Sequence, residues 1–508
     1  GTTGTIAGGT VNLIGDNAVG YYLTNSSSLT NNGGNIYIDG QNIVLTISDA
    51  SSSINFLTPF TITATAGSTY VAGSMTGGEF YNNTTATLGS NGMLINGLGT
   101  AVLFGTASNV NSTGTNVAGM VLSGRYTDNP LPYPISGTPV NVEGTNLGTI
   151  SLGDSSAGIY LMNGARGENK GTISVNNYSV AMYAEGAGSS VKNDSGIISI
   201  GQESTGLFMK DGASISNTGT AEINSTGLKA VGIYSENNLA GSATVTNSNK
   251  IDLNGDQSIG IYTTGENNVT NTGIINIGNS SSQTQPGVGI YADHAGSSIT
   301  NSAAVNIGDN GVGIYNLNGN VTNSGAITAG NGGTGIYSEG GTIILHPGSS
   351  ITVGQNDGVG VYAVNQTGIV TNNSTVSVGD GSYGFVFTGA TAPTFINNQS
   401  AVIGNNSIFV FSDSVLSADN SGALTMTGSD NIGYYLKNGG LFINNSNITG
   451  NAGVSNIGVY AKNAVIINNG NIILGDSNLI EHTDASGAKY KTGYSVGIYG
   501  EDSNITNN

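Results

Sequence analysis

The sequence contains no cysteine and no tryptophan, only 8 prolines and, among 11 basic residues, just two arginines, Arg125 and Arg166. Without cysteine there is no disulfide framework and no thiolate metal site. That absence suits export through an oxidising compartment, where a stray disulfide would trap the chain. Charged residues make up 8% of the 508, against roughly 25% in ordinary globular proteins. The net charge of −19 rests on 30 acidic residues. Clustered Lys and Arg are what a phosphate backbone or an anionic lipid surface requires, so neither nucleic acid nor a charged membrane face is an expected partner. No run is long and apolar enough to span a bilayer, and no signal peptide opens the chain.

Helix formers are also scarce. In their place stand 82 glycines and many Asn, Ser, Thr, Val and Ile residues, a strand-and-turn composition. Glycine does not recur at every third position, which excludes a collagen helix. Regular Ile, Val and Tyr exclude a disordered chain.

Regularity is the main signal. The stretch GDNGVGIYNLNGNVTNSGAITAG (308–330) returns nearly unchanged as GQNDGVGVYAVNQTGIVTNNSTVSVG (354–379). An aromatic anchor marks each copy: Tyr160, Tyr183, Phe208, Tyr234, Tyr262, Tyr291, Tyr315, Tyr337, Tyr362, Phe387, Phe411, Tyr435, Tyr460 and Tyr499. Tyr22 and Phe104 have the look of earlier anchors. An Asn before a turn keeps step, at Asn193, Asn217, Asn247, Asn271, Asn301, Asn323, Asn372, Asn397, Asn420, Asn444 and Asn468. Between Asn323 and Asn372 one Asn is missing, and His346-Pro347 falls at the corner instead. Three short strands per unit of about 25 residues, with turn residues between them, predict an all-β right-handed parallel β-helix whose apolar residues stack rung upon rung.

Residues 1–150 read as an irregular N-terminal part of this helix, with off-period strands and a Pro-rich loop at 125–139. Residues 151–508 read as the regular part, with a loop inserted near 477–495. The final EDSNITNN stops inside the repeat, as expected of a piece of a longer protein.

Strict alternation along V-G-I-Y puts Val312 and Ile314 on one face and Gly313 and Tyr315 on the other. The aromatic row is then a structural ladder, at the surface or turned inward by a bend. The Asn row reads as stacked corner amides. The residue after the strand-ending Gly runs Asp256, Asn279, Asp309, Asn331, Gln355, Asp380, Asn405, so no two carboxylates stack on adjacent rungs, where they would repel. A calcium ladder needs the opposite arrangement. GDGSYG (379–384) matches G-x-G-x-x-G but lacks the helix and βαβ unit that would make it a nucleotide site. The histidines, His294, His346 and His482, fall on separate rungs, which disfavours a metal site or a catalytic triad. No cofactor and no metal are expected. Binding is expected in insertions, which map to loops in a solenoid. The candidates are Tyr126, Asp128, Leu131 and Tyr133 in the Pro-rich loop, and Glu481, His482, Tyr490 and Lys491 in the later one. NSSSQTQPG (279–287) is a third insertion.

Tandem VGIYxxN…VTNxGxIxxG units resemble the passenger regions of type V autotransporters, most closely the large fusobacterial adhesins. The resemblance covers about 153–508 well and the first 150 residues loosely. It implies display at a Gram-negative outer membrane through a C-terminal translocator barrel absent from this chain. It also implies attachment to a host-cell receptor or glycan, or to a surface protein of another bacterium, by a non-catalytic monomer. The alternatives are a stalk that binds nothing and a β-helix enzyme that degrades polysaccharide.

Overall fold

Each repeat folds as three short parallel strands because β-branched residues alternate with small polar ones and turn formers separate the runs. In the computed structural model, which describes residues 3–6, 8–49, 51–124, 143–486 and 488–508, the repeat quoted above forms strands Val312–Leu317, Asn320–Asn323 and Ala326–Ala329. Asn318, with φ 62°, turns the first corner in a left-handed conformation that Asn tolerates. Each strand pairs in parallel with its counterparts one repeat away. Ile314 lies between Ile290 and Ile336, Val321 between Ile299 and Ile343, and Ile327 between Val305 and Ile351. All nine side chains are at most 1% exposed. Burying one such side chain contributes about 1.5–3 kcal/mol, so the aliphatic stacks carry the core.

The chain divides into two compact units, residues 1–255 with 260–267, and 256–259 with 268–508. Each is a right-handed parallel β-solenoid built on three strand faces. In the first unit, Ile150, Ile173, Ile198, Ile223 and Ile251 form one such stack. The described residues before 125 pair on the same three faces, as in the register Ser28↔Ser53↔Glu79↔Ala101. No described residue is helical. The Pro-rich loop, with its candidates Tyr126, Asp128, Leu131 and Tyr133, lies outside the described residues.

Three sequence expectations change. Along V-G-I-Y the alternation breaks at the glycine: Gly313 and Ile314 are both buried, Tyr315 faces out, and Asn316 returns inward. The chain bends there, and a Cβ on Gly313 would sit 2.4 Å from the Gly335 carbonyl oxygen and 2.7 Å from Ile327 Cγ2. Two inward residues in succession require a side chain small enough to clear the next rung. Phe387 is not a rung of the outer ladder. Val386 aligns with Tyr362 and Phe411, while Phe387 aligns with Ala363 and Ser412 and packs inside against Phe395, ring centroids 5.4 Å apart. The sequence YGFVF offers two aromatic residues after the glycine, and the bend decides which face each takes. Phe104 likewise aligns with Asn82 and Asn146 in the asparagine column and is fully buried. Tyr22 does stand in the aromatic column, opposite Ile47.

Candidate binding surface

Two aromatic features at the surface differ in what they leave free. The first is the ladder. In the first unit Tyr160 stacks on Tyr183 at 4.4 Å and 14°, and Phe208 on Tyr234 at 4.5 Å and 21°. In the second, Tyr315 lies between Tyr291 at 4.9 Å and Tyr337 at 4.6 Å, both nearly parallel. These rings are half-buried on the outer surface, and neighbouring rungs cover both ring faces. Along these stacked rungs only the hydroxyl edges remain, so this part of the ladder offers no platform for a sugar ring. Carboxylates line it: Tyr183 donates to Glu185 at 2.9 Å and Tyr160 donates to the same oxygen at 3.4 Å. Burial, with the Glu185 hydrogen bond, raises the Tyr183 pKa far above its ordinary value. Burial, the neighbouring Tyr315 phenol and Glu339 push Tyr337 up to about 12.

The second feature is the insertion near 477–495. Strands Ile480–Thr483 and Lys489–Thr492 pair antiparallel as a two-stranded sheet apart from the three solenoid faces. The register is Ile480↔Thr492, Glu481↔Lys491, His482↔Tyr490 and Thr483↔Lys489. Alternation therefore gives the hairpin two unlike faces. One carries Ile480, Thr492 and the stacked rings of His482 and Tyr490, centroids 5.2 Å apart, with His482 Nε2 2.7 Å from the Thr492 hydroxyl. The other carries Glu481 and Lys491 with Thr483 and Lys489, and its ion pair is the diagonal Lys489–Glu481 at 2.7 Å. Asp484 fixes the tip, its Oδ1 accepting from the Ser486 and Ala488 N–H groups. At the base, Ser495 N–H donates to Ser477 Oγ at 2.9 Å, so the two ends of the insertion leave the rung side by side.

The four later candidates are thus brought together on one projection. The sequence pointed to those four but not to Ile480, Lys489 and Thr492, which complete the two faces. The signal was the alternation I-E-H-T and K-Y-K-T on either side of DASGA. The third insertion, 279–287, is tied down instead, with Gln283 Nε2 donating to the Gly332 carbonyl at 2.8 Å and Gly287 N–H to Ser280 Oγ at 2.6 Å.

The histidines stay apart. His294 Nδ1 accepts the Gly296 N–H at 3.1 Å within a turn, and the His346 carbonyl accepts from Ser349 at the corner where Leu345 replaces Asn. Among the described residues no group of three or more His, Cys, Asp or Glu is placed to hold a metal ion. The most buried carboxylate, Glu168, lies 3.1 Å from Lys170 Nζ and 3.4 Å from Lys192 Nζ. Lys192 also meets Asp194 at 3.3 Å. Burial opposes ionisation of Asp194, but Lys192, together with hydrogen bonds involving Glu168 and Thr218, holds the carboxyl below its ordinary range.

A family model described as the BigA third pectate lyase-like domain matches residues 201–319. The match is consistent with a β-helix passenger domain. No curated protein and no solved structure matches the chain.

Proposed function

We propose that the chain is a passenger segment displayed at a bacterial surface and that it attaches to a host-cell or bacterial ligand, without catalysis, through the hairpin at 480–492. The observation that carries this reading is the hairpin itself. It departs from a solenoid whose other described strands all pair rung to rung, and it exposes Tyr490 (51%), Ile480 (53%), Leu479 (44%) and Tyr494 (48%) together. Rigid aromatic area beside adaptable polar groups is the composition of a recognition patch. Net negative charge keeps the solenoid soluble and leaves the few cations of the hairpin as a local contrast. The BigA-type match supports a surface protein, and the repeat's resemblance to autotransporter adhesins supports display at a Gram-negative outer membrane.

The test is binding of the purified chain to host cells, other bacteria and a glycan panel, beside a variant in which 478–494 is excised so that Ser477 joins Ser495. Loss of cell or protein binding on excision, and its weakening in Tyr490→Ala, is the expected outcome. Undiminished attachment after excision would overturn the role of the hairpin. Release of unsaturated or reducing sugar ends from pectin or other polysaccharide would overturn the non-catalytic reading in favour of an enzyme.

A further inference from the structure

The first unit carries a cleft that the hairpin reading does not use. On the third strand face near its start there is a concavity of about 410 Å³, within the range of small-ligand sites. Its floor is made of residues without outward side chains, Gly9 and Gly34, beside the buried Phe60. Gly34 has φ +131°, and a Cβ there would sit 2.7 Å from the Gly9 carbonyl oxygen. At Gly9, φ +105°, a Cβ would meet nothing within 4 Å. The glycines therefore both permit the backbone course and keep the space open.

Asn35, Thr61 and Thr87 form the wall, in one column across three rungs in the register Asn35↔Thr61↔Thr87. Neighbouring strands lie about 4.8 Å apart, close to the length of one residue of an extended polysaccharide. The side chains of these three residues make no hydrogen bond to the described protein. Elsewhere exposed amides of the solenoid satisfy one another along a column, as Asn306 does with Asn276 at 2.8 Å and Asn469 with Asn445 at 2.8 Å. Tyr37 stands two residues beyond Asn35 on the same outer face, between Asn12 and Thr63 in register. It is half-buried, and its register neighbours Asn12 and Thr63 are not aromatic, so no ring of an adjacent rung stacks on it as the ladder rings stack on one another. No lining residue of the cleft is charged.

We infer that this cleft binds a neutral oligosaccharide laid along the solenoid axis, one sugar residue per rung, with hydroxyls meeting Asn35, Thr61 and Thr87 and a sugar face on Tyr37. A uronate polymer is disfavoured, because no cation lines the cleft and the protein as a whole is anionic. The site is independent of the hairpin.

Calorimetric titration of the intact chain tests this with neutral hexose and N-acetylhexosamine oligomers and with uronate oligomers of equal length. Neutral oligomers are expected to bind and uronates to be much weaker. The triple variant Asn35→Val/Thr61→Val/Thr87→Val keeps strand propensity and removes the polar wall, and is expected to bind at least about tenfold more weakly. Tyr37→Thr should weaken binding too, while excision of 478–494 should leave it unchanged. Circular dichroism checks that each variant folds. Should the triple variant not fold, chemical-shift mapping on the unaltered chain replaces it, with shifts expected at Asn35, Thr61 and Tyr37. The inference is overturned if no neutral oligomer binds at millimolar concentration, if uronates bind equally, if the triple variant binds as well as the parent, or if the shifts map elsewhere.

Discussion

Asn217 Nδ2 donates to Asn247 Oδ1 at 2.8 Å, and both side chains are fully buried. The same bond recurs within the first unit from Asn146 to Asn169 to Asn193 to Asn217. In the second unit it runs from Asn271 through Asn301 to Asn323, and again from Asn372 through Asn397, Asn420, Asn444 and Asn468 to Asn507. The second amide hydrogen goes to a carbonyl in the residue's own turn, as from Asn323 to Gly325 at 2.9 Å and from Asn468 to Gly470 at 2.9 Å. One side chain thus closes a corner and joins it to the next rung, and all donors point the same way along the column.

This direction makes the column intolerant of charge. Asn420→Asp would place a carboxylate where Asn420 is fully buried, and it could not donate to Asn444 when ionised. We expect a loss of about 3–5 kcal/mol at neutral pH. The burial would raise the native-state pKa of this Asp, so the native state would bind the proton more tightly. The loss should therefore shrink as pH falls through that pKa. Asn420→Leu should cost less, about 1–3 kcal/mol, since Leu345 fills the same column between Asn323 and Asn372. Denaturant unfolding of both variants across pH measures the contrast.

Asp380 uses Oδ1 to accept the Asn405 N–H at 2.7 Å and Oδ2 to accept its side-chain amide at 3.0 Å. These bonds hold its pKa below the ordinary carboxylate range. Its contribution is present above the unfolded-state pKa and is lost as pH falls through the folded one. Asp380→Asn keeps an acceptor for the backbone, as Asn279 does for Asp309. That variant should lose this part of the acid sensitivity and keep its stability at neutral pH, as read from melting temperature against pH.

At the alkaline end the sign reverses. Tyr337 is neutral in the fold up to about 12, above the value of about 10 for a free phenol. Its contribution is complete below the unfolded pKa and is lost as pH rises toward the folded one. Ultraviolet titration should show a tyrosine step near the higher value that disappears in Tyr337→Phe.

Tyr434 takes the inward position opposite Val410 and Val459 and packs on Phe442 at 4.3 Å, but its hydroxyl is buried and makes no well-formed hydrogen bond among the described residues. Burial raises its pKa well above the ordinary value, opposed by the Asn397 amide nearby. Tyr434→Phe should leave stability unchanged or raise it by up to about 1 kcal/mol, measurable by chemical denaturation.

Excision of 478–494 should change the melting temperature little. The ends already meet at Ser477 and Ser495, and the lost anchors are few, chiefly Ser455 Oγ donating to Gly493 at 2.9 Å. A large drop on calorimetry would mean that the hairpin braces the rung rather than projecting from it.

The repeat period, the three strands per rung and the asparagine column were legible in sequence because each depends on a residue type recurring at a fixed interval. Asn146, Asn169 and Asn507 also belong to the column, a membership that only the pairing of their strands reveals. Phe387 was misplaced because YGFVF is compatible with either aromatic residue facing out, and one residue of shift exchanges the faces. The cleft left no sequence signal, since Gly9, Gly34, Asn35, Thr61 and Thr87 come from separate rungs.

By itself, the sequence determined a coil of parallel strands with an aliphatic core, because stacking identical rungs buries one apolar residue per strand. Tertiary structure alone decided which aromatic rings spend their faces on one another and which stand free. It also decided which hydroxyls and amides remain without a partner. Those outcomes depend on the bend at a glycine such as Gly313 and on what the neighbouring rung presents, which no single repeat contains.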